Sequence, residues 1–332
     1  MKKVICIFLL MAVACLPCFS CAESYEEEDG EWRGQEWLEW AEAEFKKDYG
    51  AVCHLENGTL TFLEGVITLG DYIGEYVGNN EYIEDPEITA LFARDPIQGK
   101  TIDGSIFDFE GRCDFTGINW PDSLRMLGST AFMYVSCEQL ILPLSLERIY
   151  DAAFYRCYFD TVRIECCLPE GEIWSGFVDC RINAYEVPED HPLYKTVDGV
   201  LYTKDGKTLL AYPNGREDEH FDVPAGVEVI DSYAFCNEYL KTVSLPIGLK
   251  ALTGGAFYGC GRLQAITVPL TVEYIGEDVF TECVSLERVS LPEGLTADKD
   301  ASWSIYYQDD SLFRGDNGDT LPQPRKDDDD DY

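Results

Sequence analysis

The sequence predicts a mainly β solenoid built from repeats of 22–23 residues. Three observations carry this. Between residues 223 and 295 the prolines Pro224, Pro246, Pro269 and Pro292 recur at steps of 22, 23 and 23. The phenylalanines Phe235, Phe257 and Phe280 keep the same beat, at 22 and 23. Apolar residues fall at matching offsets, from Leu249, Leu252, Ala256 and Phe257 in one unit to Val272, Ile275, Val279 and Phe280 in the next. A fixed period of about 20–50 residues marks an array of stacked units, none of which closes a core alone.

Inside a unit the residues before each proline alternate. Val243-Ser244-Leu245 and Ile266-Thr267-Val268 put apolar side chains on one face and hydroxyls on the other, the pattern of a short half-buried strand. Proline then ends the strand, because it has no N–H to give a ladder. Stacking turns the apolar positions into interior columns that run from Leu245 and Cys260 to Val268 and Cys283. The hydroxyls form an outward column of Ser244, Thr267 and Ser290, the candidate ligand-contact surface.

The spacing Ile/Leu-Gly-x-x-Ala-Phe-x-x-Cys-x-x-Leu-x-x-Val-x-Leu-Pro is carried by Leu252, Ala256, Phe257, Cys260, Leu263, Ile266, Val268 and Pro269. It resembles the BspA-like leucine-rich repeat proteins of bacterial and some protist surfaces. The resemblance implies a leucine-rich repeat solenoid and adhesion to host matrix proteins or other cells. The common leucine-rich repeat consensus has an Asn ladder after its strand; no Asn column exists here, so the horseshoe geometry is not implied in detail.

Taken in order, residues 1–22 read as a signal peptide: Lys2 and Lys3, an apolar run from Val4 to Ala14, then small residues. Two processing routes fit. Ser20-Cys21-Ala22 suits cleavage before Glu23, giving a secreted chain; Ala12-Val13-Ala14-Cys15 resembles a loose lipobox, giving a surface protein anchored through a lipidated Cys15. No later stretch reaches the roughly 20 apolar residues of a membrane span. Residues 23–59 comprise an acidic segment, Glu26-Glu27-Glu28-Asp29, and a helical N-terminal cap over Trp32–Tyr49. Trp37, Trp40, Ala41, Glu44 and Phe45 give that helix one aromatic face.

Residues 60–169 hold degenerate and regular repeats. Phe62–Tyr72 aligns with Val223–Tyr233 and Ile102–Phe107 with Ile230–Phe235, while 79–101 form an excursion. Pro121 to Pro143 and Phe132 to Phe154 are both spaced by 22. The beat breaks at Pro169, so residues 170–222 read as an inserted segment. In it Val200-Leu201-Tyr202 and Thr208–Tyr212 flank Asp205-Gly206, a β-hairpin signal. Such an interruption recurs in BspA-like proteins, where the resemblance implies a hairpin projecting between repeats. Regular repeats fill 223–295. Residues 296–332 are a C-terminal cap, with Ser302–Tyr307 as a capping strand and Asp327–Asp331 in an acidic tail.

The chain carries 62 acidic and 25 basic residues, for a net charge of −37. That excludes the basic footprint of a nucleic-acid binder and charge-driven docking on anionic membranes. It suits a solvated exterior or basic partners and cations. Of 14 cysteines, ten follow the leader, and Cys157, Cys260 and Cys283 each stand three residues after a repeat Phe. That offset makes them small buried hydrophobes. Strands about 4.8 Å apart also admit a disulfide between rungs, whose Cα separation runs about 4.4–6.8 Å.

Catalytic signatures are sparse. The three histidines, His54, His191 and His220, have no second His at metal-ligand spacing; HExxH does not occur, and after the leader neither does CxxC. Cys180 and His191 are a nucleophile and base by type, with nothing in the sequence to bring them together. The reading is therefore a binding protein rather than an enzyme, without metal or cofactor, whose ligand is an extracellular protein or glycan. A structural envelope component and an enzyme acting on extracellular polymers are the alternatives.

Overall fold

Each repeat lays down one longer and one shorter strand, and the two kinds stack separately. The computed structural model describes residues 53–63 and 113–292, except 130, 134, 169–170 and 238, with strands at 68–69, 75–76, 82–83, 101–102, 296–297 and 313–315. Residues 1–50, and with them the helical cap, lie outside the described residues.

The longer strands form two parallel sheets. One stacks Cys113–Phe115, Val135–Leu142, Tyr158–Ile164 and Arg181–Glu186; the other stacks His220–Asp222, Thr242–Ser244, Ala265–Thr267, Arg288–Leu291 and Phe313–Gly315. The shorter strands, such as Val229–Ile230, Ala251–Leu252, Tyr274–Ile275 and Thr296–Ala297, pair in register one repeat apart. Proline joins the two kinds through a tight turn, in which Leu249 N–H donates to the Pro246 carbonyl at 3.2 Å and Val272 N–H to that of Pro269 at 3.0 Å. Gly248, third in its turn, sits at φ +111 in open space, the left-handed position of a type II turn.

The predicted columns are the core. From Leu249 to Val289 the matched apolar positions of both units are buried, while Leu245 is half-buried. The repeat phenylalanines stack ring on ring: Phe132–Phe154 at 5.2 Å, Phe154–Phe177 at 4.9 Å, Phe235–Phe257 at 4.9 Å and Phe257–Phe280 at 5.8 Å. Beside them runs a column of buried thiols. Each donates to the backbone carbonyl of the Phe one rung back: Cys180 to Phe154 at 3.0 Å, Cys283 to Phe257 at 3.1 Å, and Cys260 to Phe235.

Phe177 shows that the beat does not stop at Pro169. It stands 23 residues after Phe154, and Cys180 stands 23 after Cys157. One more rung follows, through the short helix Glu172–Ser175 and the strand Arg181–Glu186. The insertion therefore begins after Glu186 rather than at 170.

The insertion also does not project. Tyr194–Val197, Val200–Thr203 and Thr208–Ala211 form an antiparallel meander, and Leu209 then pairs in parallel with Ile230. The predicted hairpin is thus the first member of the second short-strand sheet. Its middle strand separates two cores by alternation, with Leu201 buried in the first cluster and Val200 and Tyr202 in the second.

Two asparagines splice the halves. Asn214 imitates a neighbouring strand: its Oδ1 accepts the Ile182 N–H at 2.8 Å and its Nδ2 donates to the Cys180 carbonyl. That covers the edge of the first long-strand sheet, which would otherwise offer unpaired backbone groups. Asn237, fully buried, donates to the carbonyls of Pro213, Asn214 and Arg216, and accepts from the N–H groups of Tyr239 and Leu240. Tyr212 occupies the ring position of this junction, stacked on Phe235 at 5.3 Å.

At the N-terminal side, Cys53–Glu56 and Thr59–Phe62 form a hairpin across Asn57-Gly58, both left-handed as a two-residue turn requires. The boundary expected at residue 59 falls inside it. Thr68–Leu69 pairs directly with Met126–Leu127, and Thr101–Ile102 lies on its far side, so stacking order and chain order differ there. At the other end, Thr296–Ala297 and Phe313–Gly315 add a rung beyond Leu295, where the sequence pattern stops. The capping strand expected at 302–307 lies outside the described residues.

Two outcomes follow from the columns. Phe257→Ala should cost about 3–5 kcal/mol in urea unfolding, whereas Ile247→Ala, at a site 92% exposed, should stay within about 0.5 kcal/mol. Thiol titration of the unfolded, unreduced protein should find Cys260 and Cys283 both reactive; loss of both together would replace the thiol column with a bridge.

Candidate functional site

The outward face of the second long-strand sheet is built from small polar side chains because its inward partners, Val243, Ile266 and Val289, are committed to the core. Ser244 and Thr267 are exposed and Ser290 is half-buried. Thr242 pairs with Ala265, which sets Ser244 opposite Thr267, and Thr267 pairs with Ser290. The three predicted contact residues therefore form one row across adjacent strands, about 4.8 Å apart.

The row extends beyond them. Asp222 pairs with Ser244 and, at the far end, Arg314 with Ser290. A second row, His220–Thr242–Ala265–Arg288, runs parallel to it. Asp222 and His220 join the rows: His220 Nε2 lies 3.0 Å from Asp222 Oδ1 and Nδ1 lies 2.7 Å from Thr242 Oγ1. A carboxylate only accepts, so Nε2 carries a proton toward Asp222. The Ser244 hydroxyl, and after it His220, hold the Asp222 carboxyl below its ordinary range. At the border, Lys241 Nζ meets Glu219 Oε1 at 2.6 Å. The face thus sets short hydroxyl side chains, each able to donate and to accept, at strand spacing beside Asp222.

His220, Asp222 and Thr242 were not among the expected site residues. The signal was present: His220 precedes Thr242, and Asp222 precedes Ser244, by one period of 22. Tyr212 in place of the repeat Phe hid the strand to which His220 and Asp222 belong.

Cys180 and His191 have separate partners. The Cys180 thiol is aimed at the Phe154 carbonyl, whereas buried His191 holds the Cys166 carbonyl at 3.0 Å through Nε2 and accepts the N–H groups of Leu193 and Tyr194 at Nδ1. Burial, followed by the neighbouring Cys157, pushes the Cys180 thiol well up, and burial pushes that of Cys53 up to about 12. Thiols held protonated are poor nucleophiles. His54 lies exposed on the N-terminal hairpin. Among the described residues no three His, Cys, Asp or Glu side chains gather as a metal site. Cys15 lies outside the described residues.

The family model for the BspA type leucine rich repeat region matches residues 100–171 and 211–304 in six copies. No curated protein matches the chain in sequence. Among solved structures, a leucine-rich repeat protein from Eubacterium ventriosum is 20% identical, with 73% of this chain and 72% of that one covered at a TM-score of 0.50. That likeness shows a shared fold. A leucine rich cell surface protein from Faecalibacterium prausnitzii is 16% identical over 79% of this chain and 91% of its own, at a TM-score of 0.38. The pneumococcal vaccine antigen PcpA is 16% identical over 80% and 90%, at 0.34.

The depressed Asp222 carboxyl sets a pH dependence. Its contribution is present above the unfolded carboxyl value of about 3.9 and is lost as pH falls through the lower folded value. An NMR titration should place the Asp222 midpoint below that of a free aspartate, and Ser244→Ala should move it back up.

Proposed function

Because the chain belongs to the BspA-type leucine-rich repeat family, we propose that it is an exported, surface-displayed or secreted adhesion protein. Its second long-strand sheet binds an extended stretch of an extracellular protein or glycan. The observation that carries this reading is the in-register row Asp222–Ser244–Thr267–Ser290, with the His220–Thr242 pair beside it. Short side chains on a paired sheet lose little conformational entropy when a ligand docks, so hydrogen bonds to them are retained as affinity. Export rests on the basic and apolar leader, with either release after Ala22 or tethering at Cys15. No described helix is long and apolar enough to cross a membrane.

Thr267→Glu places a charge in the middle of the row without touching the core. Surface plasmon resonance against arrayed extracellular matrix proteins and glycans should show binding by the parent and loss in the variant, with an unchanged unfolding midpoint. Equal binding by the two would move the site to another face, first to the meander at 194–211. Parent protein that binds nothing on the array but self-associates in sedimentation at rising concentration would identify an assembly component instead.

A further inference from the structure

A second surface lies on the turn between the short strand and the repeat Phe. Asp151, Trp174, Ser232, Gly254 and Glu277 hold the same place in their rungs, three residues before Phe154, Phe177, Phe235, Phe257 and Phe280. Backbone hydrogen bonds seat the rungs side by side, from Ala152 N–H to the Ser175 carbonyl at 2.7 Å, from Tyr233 N–H to that of Gly254 at 3.3 Å, and from Gly255 N–H to that of Glu277 at 2.7 Å. Asp151 and Glu277 are exposed; Asp151 stands one rung from Trp174, and Glu277 two rungs beyond Tyr233.

The aromatic part is layered. Trp174, 37% exposed, stacks on Tyr233 with ring centroids 3.6 Å apart and planes 13° apart. Tyr233 in turn lies over Gly255, where a Cβ would come within 2.6 Å of its ring. Tyr258 stands alongside at 5.7 Å. Glycine is therefore required at 255 to let a large ring lie flat on the outside of the solenoid. The result is an outward indole on a tyrosine base, on a turn surface that also carries Asp151 and Glu277, on a chain of net charge −37.

We propose that Trp174, stacked on Tyr233 on the turn surface that also carries exposed Asp151 and Glu277, is a docking site for the cationic side chains of a basic polypeptide. The indole face attracts ammonium and guanidinium groups more strongly than other aromatic faces do. The carboxylates supply a second, complementary attraction, and the acidic surface as a whole raises the local concentration of a basic partner. This site is on a different face from the hydroxyl row and does not depend on it.

The probe is hexa-arginine amide, titrated calorimetrically into the whole protein at about 0.15 M salt, where the Debye length is about 8 Å and diffuse attraction is screened. Trp174→Leu, which keeps every charge, should weaken binding about fivefold. The paired change Asp151→Asn with Glu277→Gln keeps every ring and should weaken it as well, with the unfolding midpoint unmoved. Thr267→Glu, on the other face, should bind the peptide like the parent. If the folded Trp174→Leu protein binds like the parent, the attraction is diffuse and the site is overturned. If Trp174→Leu does not fold, the carboxamide pair decides, and unchanged affinity there overturns the proposal. A neutral hexasaccharide that binds the parent but not Trp174→Leu, while the peptide binds both, would overturn it in favour of a glycan platform.

Discussion

The structure depends on rings stacking at the spacing of strands. Successive phenylalanines sit 4.9–5.8 Å apart with planes 7–18° apart, close to the roughly 4.8 Å step between paired strands. A side chain can join such a stack only from the same offset in every rung. A repeat of 21 or 25 residues without compensation would carry its Phe out of the column and open a cavity. This explains the tight 22–23-residue beat better than strand pairing does, since two-residue strands such as Ala251–Leu252 contribute few bonds. The thiol column obeys the same rule. A cysteine fits the width left beside the rings and gives its proton to a carbonyl of the previous rung, so a buried acceptor finds a partner.

A stack of this kind propagates until something interrupts it, and the interruption has to be repaired. Between Glu186 and His220 the chain leaves the repeat, and three residues carry the continuity across. Tyr212 restores the ring position, with its hydroxyl held by Asp218 at 2.8 Å. Asn214 closes the sheet edge, and Asn237 ties the loop to the next rung. A solenoid whose units contact only neighbours has a stability close to a sum of neighbour terms. A junction built on buried polar groups is then its most sensitive point, because loss of one partner leaves desolvated groups unmade.

What was legible in the sequence follows from this division. Positions inside the columns have one permitted offset and one permitted character, so Phe235, Phe257, Cys260 and Ile266 announced themselves by period alone. The outward alternation followed automatically, and Ser244, Thr267 and Ser290 fell on one row. The junction was opaque because it satisfies the same physical needs with different residues. Tyr212 replaces a Phe, and an amide side chain replaces a strand. Phe177 and Cys180 were on the beat, but Glu165 stands where the proline before their rung would fall, 22 residues after Pro143. His220 and Asp222 lie in a strand that Pro224 closes, but Tyr212 stands where its Phe would, and their one-period offset from Thr242 and Ser244 was the remaining signal.

The same logic limits where a recognition surface has room to form. The columns cannot vary without breaking the stack, and the turns are constrained by left-handed positions such as Ala152, Tyr233, Gly255 and Asp278. What remains free is every second residue of the longer strands and the few side chains that leave the turns outward. Those two sets form separate flat surfaces, since alternation sends strand residues to one side and turn geometry sends the others elsewhere. A strand row holds short polar groups at fixed spacing and matches an extended polar chain. A turn column accommodates a large ring only where glycine in the neighbouring rung makes room, as Gly255 does for Tyr233. One rigid stack thus presents two chemically different faces, and a change on either can be made without disturbing the other or the core between them.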